Sequence, residues 1–163
     1  MAKSSADEPA KRPKAPTWPE LVAETDGKRA LWVRGRVHNT DFVPCGLAWD
    51  AVAVRPMQWA VDALDAMRIG TRRGYLIVAD HLRGVLYVMV PTGSGEMFAS
   101  IPGVRILGRG HLLLMPRSPQ DSSTVADWVG TPRDLDAPVL VDPDRLAARL
   151  RELAPSYAEA MAS

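Results

Sequence analysis

The residues of this chain that could do chemistry fall mainly between residues 75 and 116. A glycine-rich turn, Gly108-Arg109-Gly110-His111, offers a cation and a titratable imidazole on a backbone that can approach a ligand closely. A β-turn that needs glycines would explain the same pattern without a ligand. The turn lies within residues 100–120, where three arginines (105, 109 and 117) occur without an acidic residue. Such a stretch suits phosphate groups, and ordinary solvated surface is the alternative.

Asp50 is the acidic residue that we single out as a candidate for a residual site. It interrupts an apolar, strand-like run, where a carboxylate needs a partner, a metal ion or the solvent-facing end of a strand. Other catalytic patterns are incomplete. Gly93-Ser94-Gly95 lacks the lysine of a phosphate loop, there is no G-x-S-x-G motif, and the three histidines lack metal-binding spacing. The sequence therefore contains no complete catalytic or metal-ligand set.

The composition limits the classes of protein to consider. A length of 163 residues fits one domain, and an apolar fraction of 47% can supply a core. The sequence has no run of about 18 apolar residues, so we expect no membrane-spanning helix. Its first 16 residues lack the apolar segment of a secretory signal, and a single cysteine, Cys45, cannot form an internal disulfide. We therefore expect a cytoplasmic protein without a membrane partner.

Periodicity predicts the elements that position these residues. We predict a disordered tail over 1–16, a single domain over 17–154, and a tail or short helix over 155–163. Near the start of the domain, a capping-box pattern predicts a helix from Trp18 to about Thr25. Alternating apolar residues predict a strand over Ala30–Val37.

The middle of the chain predicts a strand over Leu47–Val54 and then a helix. The apolar stripe of that helix runs from Met57 to Met67, with Pro56 in its first turn and Gly70 at its end. Further strands are predicted at Tyr75–Ala79 and Val85–Val90 as a hairpin, at Val104–Leu107, at Leu112–Met115, and as a weak strand or loop around Trp128.

The last predicted element is a helix capped by Asp142, with Pro143 at its first position. Leu146, Leu150 and Leu153 form its apolar stripe. The order of elements predicts an α+β fold, in which helices pack on one face of a mostly antiparallel sheet within a single domain.

Three segments, followed by Trp128, share their order and pattern with one known family. They are Leu47–Val54, Gly84–Pro91 and Gly103–Pro116. Together they resemble the N-terminal domain of bifunctional DNA primase/polymerases, the prim-pol branch of the archaeo-eukaryotic primases. The last segment is similar to the family signature Gly-Val-Asp-x-x-Gly-x-Gly-Gly-Tyr-Val-Val-x-Pro-Pro. The resemblance covers about half of the chain.

The resemblance implies a degenerate member of that family. Its members use paired aspartates to hold two metal ions, a histidine that contacts the incoming triphosphate, and a further aspartate in the third segment. In this sequence Asp50 supplies at most one of the pair, and the other three positions fall on Val52, Val85 and Arg105. We therefore expect no cofactor, with magnesium or manganese needed only if nucleotidyl transfer survives.

Three functions are consistent with the sequence. The first is a prim-pol-like domain that does not catalyse and binds nucleic acid or a nucleotide. Its contacts would be Arg83, Arg105, Arg109 and His111. The second is a regulatory or adaptor protein that binds a protein partner through the acidic stretch after Gln120 and an exposed Trp128. The third is an active metal-dependent primase or polymerase in which Asp50 pairs with Asp80.

Overall fold

The computed structural model describes residues 40–162. The predicted tail over 1–16, the helix from Trp18 and the strand over Ala30–Val37 lie outside these residues. The strands are β1 (Thr40–Pro44), β2 (Asp50–Val54), β3 (Ile77–Asp80), β4 (Val85–Val90), β5 (Val104–Leu107), β6 (Leu112–Pro116) and β7 (Asp127–Trp128). The helices are α1 (Met57–Ala66), α2 (Pro143–Leu153) and α3 (Ala158–Ala162), with 3-10 turns at Gly95–Phe98 and Ala154–Tyr157.

Within the described part of the chain, the strands form two antiparallel sheets. The main sheet has the order β5-β2-β4-β3-β7. Its β3 and β4 are the predicted hairpin, joined by the turn at 81–84. Strands β1 and β6 pair with each other as a separate two-stranded sheet, which we call the ribbon. This arrangement confirms the predicted α+β class.

One face of the main sheet is covered by α1 and α2. The predicted apolar stripes of these helices are buried against it, because α1 contributes Leu64 and Met67 and α2 contributes Leu146 and Leu150. Between the helices, the indole Nε1 of Trp59 donates a hydrogen bond of 3.1 Å to the carbonyl oxygen of Leu150. No helix among residues 40–162 is long and apolar enough to cross a membrane.

The ribbon covers only part of the opposite face. Its inward side chains, including Val43 and Met115, pack with Trp49 and with Ala51 and Met89 of the main sheet. Trp49 is fully buried, and its indole Nε1 has no hydrogen-bond partner among the residues that the structure describes. The rest of this face, which the ribbon does not reach, becomes the floor of the groove described below.

Three strand predictions differ from the structure, and one of them is β3, which begins at Ile77 rather than Tyr75. Strand β1 was not predicted, because its Thr-Asp-Phe-Val-Pro sequence has little apolar alternation and two residues that disfavour strands. Strand β2 begins at Asp50 rather than Leu47, since the chain bends over residues 45–48. Gly46 lies in this bend with φ +83°, and an added Cβ would come within 2.4 Å of the backbone nitrogen of Arg109.

The ends of α1 also differ from the prediction. Pro56 precedes the helix as its N-cap instead of occupying the first turn. At the other end, Arg68 rather than Gly70 adopts the left-handed conformation, with φ 57°. The Ile69 N–H then donates to the Leu64 carbonyl at 3.0 Å, which is the closing hydrogen bond of a Schellman motif. The helix therefore stops at Ala66 without a glycine.

The C-terminal part follows the prediction closely. Asp142 caps α2 by accepting hydrogen bonds from the N–H groups of Asp144 and Arg145, at 3.0 and 3.3 Å. After α2, Tyr157 stacks on Trp59 and its hydroxyl donates a hydrogen bond to Asp62. These contacts anchor the segment that ends in α3 beside the main sheet.

Candidate anion-binding groove

An open groove lies on the part of the main sheet that the ribbon leaves uncovered. Its volume is about 760 Å³, within the range of sites that bind small molecules. Its floor contains one cross-strand row, in which Ala53 of β2 pairs with Arg105 of β5 and with Tyr87 of β4. His111 and Leu112, at the start of β6, form a wall of the groove.

The groove is strongly biased toward positive charge. Three arginines (55, 83 and 105) and His111 line it, and no Asp or Glu is among the described residues in its lining. Arg55 lies two residues beyond Ala53 and therefore points to the same face of the sheet as Arg105. Such diagonal neighbours have Cα atoms about 7–8 Å apart. Within residues 40–162 neither Arg55 nor Arg105 is paired with a carboxylate, so no acidic group of this part of the chain competes with an anion for them.

Arg83 is held in a different way. Asp80, the last residue of β3, is only 1% exposed and accepts two hydrogen bonds from Arg83. One comes from the Arg83 backbone N–H at 2.9 Å and the other from its Nη1 at 3.2 Å. The Arg83 side chain is nevertheless 74% exposed. It therefore reaches the edge of the groove while one of its guanidinium nitrogens remains bound to a buried carboxylate.

Tyr87 places a half-buried aromatic ring on the floor of the groove. Burial raises the pKa of its phenol, and the negative charge of Asp80 raises it further. The nearby charges of Arg83 and Arg105 act in the opposite direction. The phenol is therefore neutral at physiological pH, and its ring can stack against a planar group such as a nucleobase.

No family model, curated protein or solved structure matches this chain. The resemblance to prim-pol domains therefore stays a prediction.

Three of the four predicted ligand-binding residues, Arg83, Arg105 and His111, line the groove, whereas Arg109 does not. Arg109 lies in the turn at 108–111, which is a β-turn closed by a 3.1 Å hydrogen bond from the His111 N–H to the Gly108 carbonyl. Gly110 has φ +92° in this turn. The turn geometry therefore accounts for that glycine, and the turn contributes to the groove by presenting His111.

Asp50 is not among the lining residues of the groove. It is 5% exposed at the start of β2, and its Oδ2 accepts a 2.9 Å hydrogen bond from the Gly93 N–H. Burial, followed by the charge of Asp50, raises the pKa of the neighbouring Cys45 thiol to about 12. One carboxylate oxygen of Asp50 therefore binds the backbone of the loop around Gly93.

Asp50 and Asp80 do not form the acidic pair required by the third hypothesis. Strand β4 separates the strands that carry them, with Asp50 opposite Val90 and Asp80 opposite Val85. Five residues of an antiparallel strand span about 17 Å, so the two carboxylates cannot bind one metal ion. Elsewhere in residues 40–162, no group of three or more His, Cys, Asp or Glu residues is placed to hold a metal ion.

The positions that the resemblance matches to catalytic residues do not share one face of the sheet. Val52 is buried in the core under α1 and α2, whereas Val85 and Arg105 line the groove on the opposite face. Side chains on the two faces of a sheet cannot reach the same ion. In this fold, these three positions therefore do not mark the remains of a single catalytic centre.

The features that suggested a protein partner have contacts inside the molecule. Trp128 is partly buried in β7 and its Nε1 donates a 2.9 Å hydrogen bond to the Ser118 carbonyl, so the expectation of an exposed indole is wrong. Of the acidic residues after Gln120, Asp127 bonds to His81 at 2.9 Å and Asp142 caps α2. The adaptor hypothesis therefore loses the exposed indole and stays a prediction.

Sequence reasoning missed Arg55 and Tyr87 as groove residues. The sequence contained a signal for both residues, because side chains two positions apart in a strand point to the same face of the sheet. Arg55 follows Ala53 by two positions, and Tyr87 follows Val85 by two. What alternation cannot show is which half of a sheet face is uncovered. That depends on where the ribbon docks, and the ribbon contains the strand that was not predicted.

Proposed function

We propose that this protein binds single-stranded nucleic acid or a nucleotide in the groove and does not catalyse nucleotidyl transfer. The observation that carries the proposal is the combination of three arginines and a tyrosine ring in a groove whose described lining contains no acidic residue. Phosphate groups need cations, and bases need flat apolar surfaces, so this combination fits a ligand that has both.

Arg55 and Arg105, which have no carboxylate partner among residues 40–162, are the expected phosphate contacts. Guanidinium groups bind phosphate oxygens through two parallel hydrogen bonds, and the diagonal placement of Arg55 and Arg105 allows both to reach neighbouring phosphate oxygens. Tyr87 lies one strand beyond Ala53, about 10 Å from Arg105 measured between Cα atoms. A base stacked on Tyr87 would therefore lie beside a phosphate held by Arg105, with His111 above the floor.

The position of the carboxylates supports binding without catalysis. Phosphoryl transfer between nucleotides commonly uses metal ions held by acidic side chains close to the phosphates. Asp50 lies outside the groove, and the carboxylate of Asp80 is bonded to Arg83. The groove thus supplies groups that hold an anion, and its described lining contains no pair of carboxylates that would hold two cations beside it.

A fluorescence anisotropy titration of a labelled oligothymidylate tests this function. The full-length chain is titrated at about 50 mM and about 200 mM salt, where counterion release makes phosphate binding weaken steeply. Arg55→Gln and Arg105→Gln are each expected to weaken binding about fivefold or more and to reduce the salt slope by about one. Competition with unlabelled ATP then separates a nucleotide site from a site for a strand.

The matched control is Arg149→Gln on α2. Arg149 is exposed and forms an ion pair with Glu152 at 2.6 Å, and it does not line the groove. The change in net charge is the same, so a general electrostatic effect would weaken binding equally in the control. No binding by the native chain at the lower salt concentration, or equal losses in the control and groove variants, would refute the proposed function.

A further inference from the structure

Asp80 is a buried acid beside a cationic groove, and the proposed binding chemistry does not use it. It is 1% exposed, and it holds Arg83 through the backbone N–H and through Nη1. Buried carboxylates are uncommon unless they are paired, so the pairing with Arg83 explains how Asp80 is tolerated. It does not explain why the carboxylate is placed next to the residues that would attract an anion.

We propose that Asp80 is a positioning residue that limits the affinity of the groove for anions, by holding Arg83 and by opposing its charge. The inference rests on the proposed function, because it concerns the same groove. Its consequence is specific: replacing the carboxylate of Asp80 with a neutral amide should strengthen anion binding. Removal of a buried acid that served only the fold would not have this effect.

The charge of Asp80 acts directly on the floor of the groove. Among the charged groups that influence the Tyr87 phenol, Asp80 has a larger effect than Arg83 or Arg105. A phosphate bound on the far side of the Arg83 guanidinium would lie roughly 8 Å from the Asp80 carboxylate. At an effective dielectric constant of about 40, that separation corresponds to roughly a fivefold loss of affinity.

The hydrogen bond between Asp80 and Arg83 restricts what Arg83 can offer to a ligand. Nη1 carries two hydrogens, and one of them is directed to the Asp80 oxygen at 3.2 Å. While that bond is kept, the remaining N–H groups of Arg83 can reach a phosphate only from the position in which Asp80 holds the guanidinium. Arg55 and Arg105 are not held by a carboxylate among the described residues.

Asp80→Asn is the decisive variant. The amide oxygen of asparagine can still accept the backbone N–H of Arg83, so the turn keeps its hydrogen bond while the charge is removed. In the oligothymidylate titration, the variant is expected to bind about fivefold more tightly than the native chain. Asp142→Asn is the matched control, since it removes the same charge and asparagine also caps helices well. It is expected to change the affinity less than twofold.

Equal affinities for the Asp80→Asn variant and the native chain would overturn the inference, as would equal gains in the two variants. If Asp80→Asn does not fold, Asp80→Ser removes the charge and keeps a weaker turn acceptor. A native chain that does not bind would reject the proposed function. In that case, no binding by the Asp80→Asn variant would overturn the inference as well, whereas binding by this variant alone would support it.

Discussion

Two fully buried tryptophans provide a test of the packing, because they differ in whether the indole N–H has an acceptor among the described residues. Trp59 donates to the Leu150 carbonyl at 3.1 Å, whereas the Nε1 of Trp49 has no acceptor among residues 40–162. Phenylalanine removes the indole N–H in both cases and leaves a similar loss of ring volume. Phenylalanine also keeps an aromatic ring that can stack on Tyr157 at position 59, so the comparison of Trp49→Phe with Trp59→Phe reports mainly on the N–H group at each site.

The expected difference follows from the two hydrogen-bonding states. Loss of a buried, satisfied hydrogen bond costs about 1 kcal/mol, and relief of an unsatisfied buried donor contributes about 1–3 kcal/mol in the other direction. Trp59→Phe should therefore have a free energy of unfolding about 2 kcal/mol or more below that of Trp49→Phe. For a chain of this length, that difference corresponds to roughly 6 °C in the melting temperature.

Urea denaturation followed by circular dichroism measures both free energies, and a thermal scan gives the corresponding melting temperatures. Equal destabilisation by the two substitutions would refute the reasoning, since it would mean that the Trp49 indole has a partner. A larger loss of unfolding free energy in Trp49→Phe than in Trp59→Phe would also refute it. Unchanged m-values in both variants are needed for the comparison, because they show that the unfolded states expose similar surface.

Three further predictions concern the helix ends, the C-terminal anchor and the glycines. Arg68→Gly should raise the free energy of unfolding by about 1 kcal/mol in urea denaturation, because arginine is strained at φ 57°; a lower value would contradict the assignment. The hydrogen bond from Tyr157 lowers the pKa of Asp62 below its ordinary 3.8. The ionised carboxylate therefore stabilises the fold above pH 3.8, and this stabilisation is lost as the pH falls through the lowered pKa. Thermal scans should therefore show Asp62→Asn less stable than the native chain at pH 7, with the two melting temperatures converging below pH 3.8; a constant gap would exclude the linkage. Gly130→Ala should be far more destabilising than Gly93→Ala, since both have positive φ but only at Gly130 would the Cβ meet backbone, 2.2 Å from the nearest oxygen.

The elements that were predicted well are those whose signal is local. The apolar stripe of α1 repeats every three or four residues, and the Asp142 cap lies at the start of α2. Both features occur in the structure at the residues that the sequence predicts. The hairpin of β3 and β4 is also local. Strand β1 has no such signal, because it is specified by pairing with β6, far along the chain.

The candidate site was predicted in part for the same reason. Arg105 and His111 were found because a run of arginines and a glycine-rich turn can be seen in the sequence, and both line the groove. Arg55 was missed because its importance comes from its register beside Arg105, which no local pattern reveals. The pairing of Asp50 with Asp80 failed on register as well, since strand order places them at opposite ends of β4.

The ribbon has a consequence for the order in which this molecule can be assembled. Its two strands are about 70 residues apart in the chain, whereas β3 and β4 are joined by a short turn. Closing so long a loop carries a larger entropic penalty than closing a hairpin, so pairing of β1 with β6 is the costlier step. His111 and Leu112 stand beside the floor only when that pairing has formed. The groove is thus a property of the finished tertiary structure, and a ligand that touches both His111 and Arg105 would favour the state in which this long-range pairing has formed.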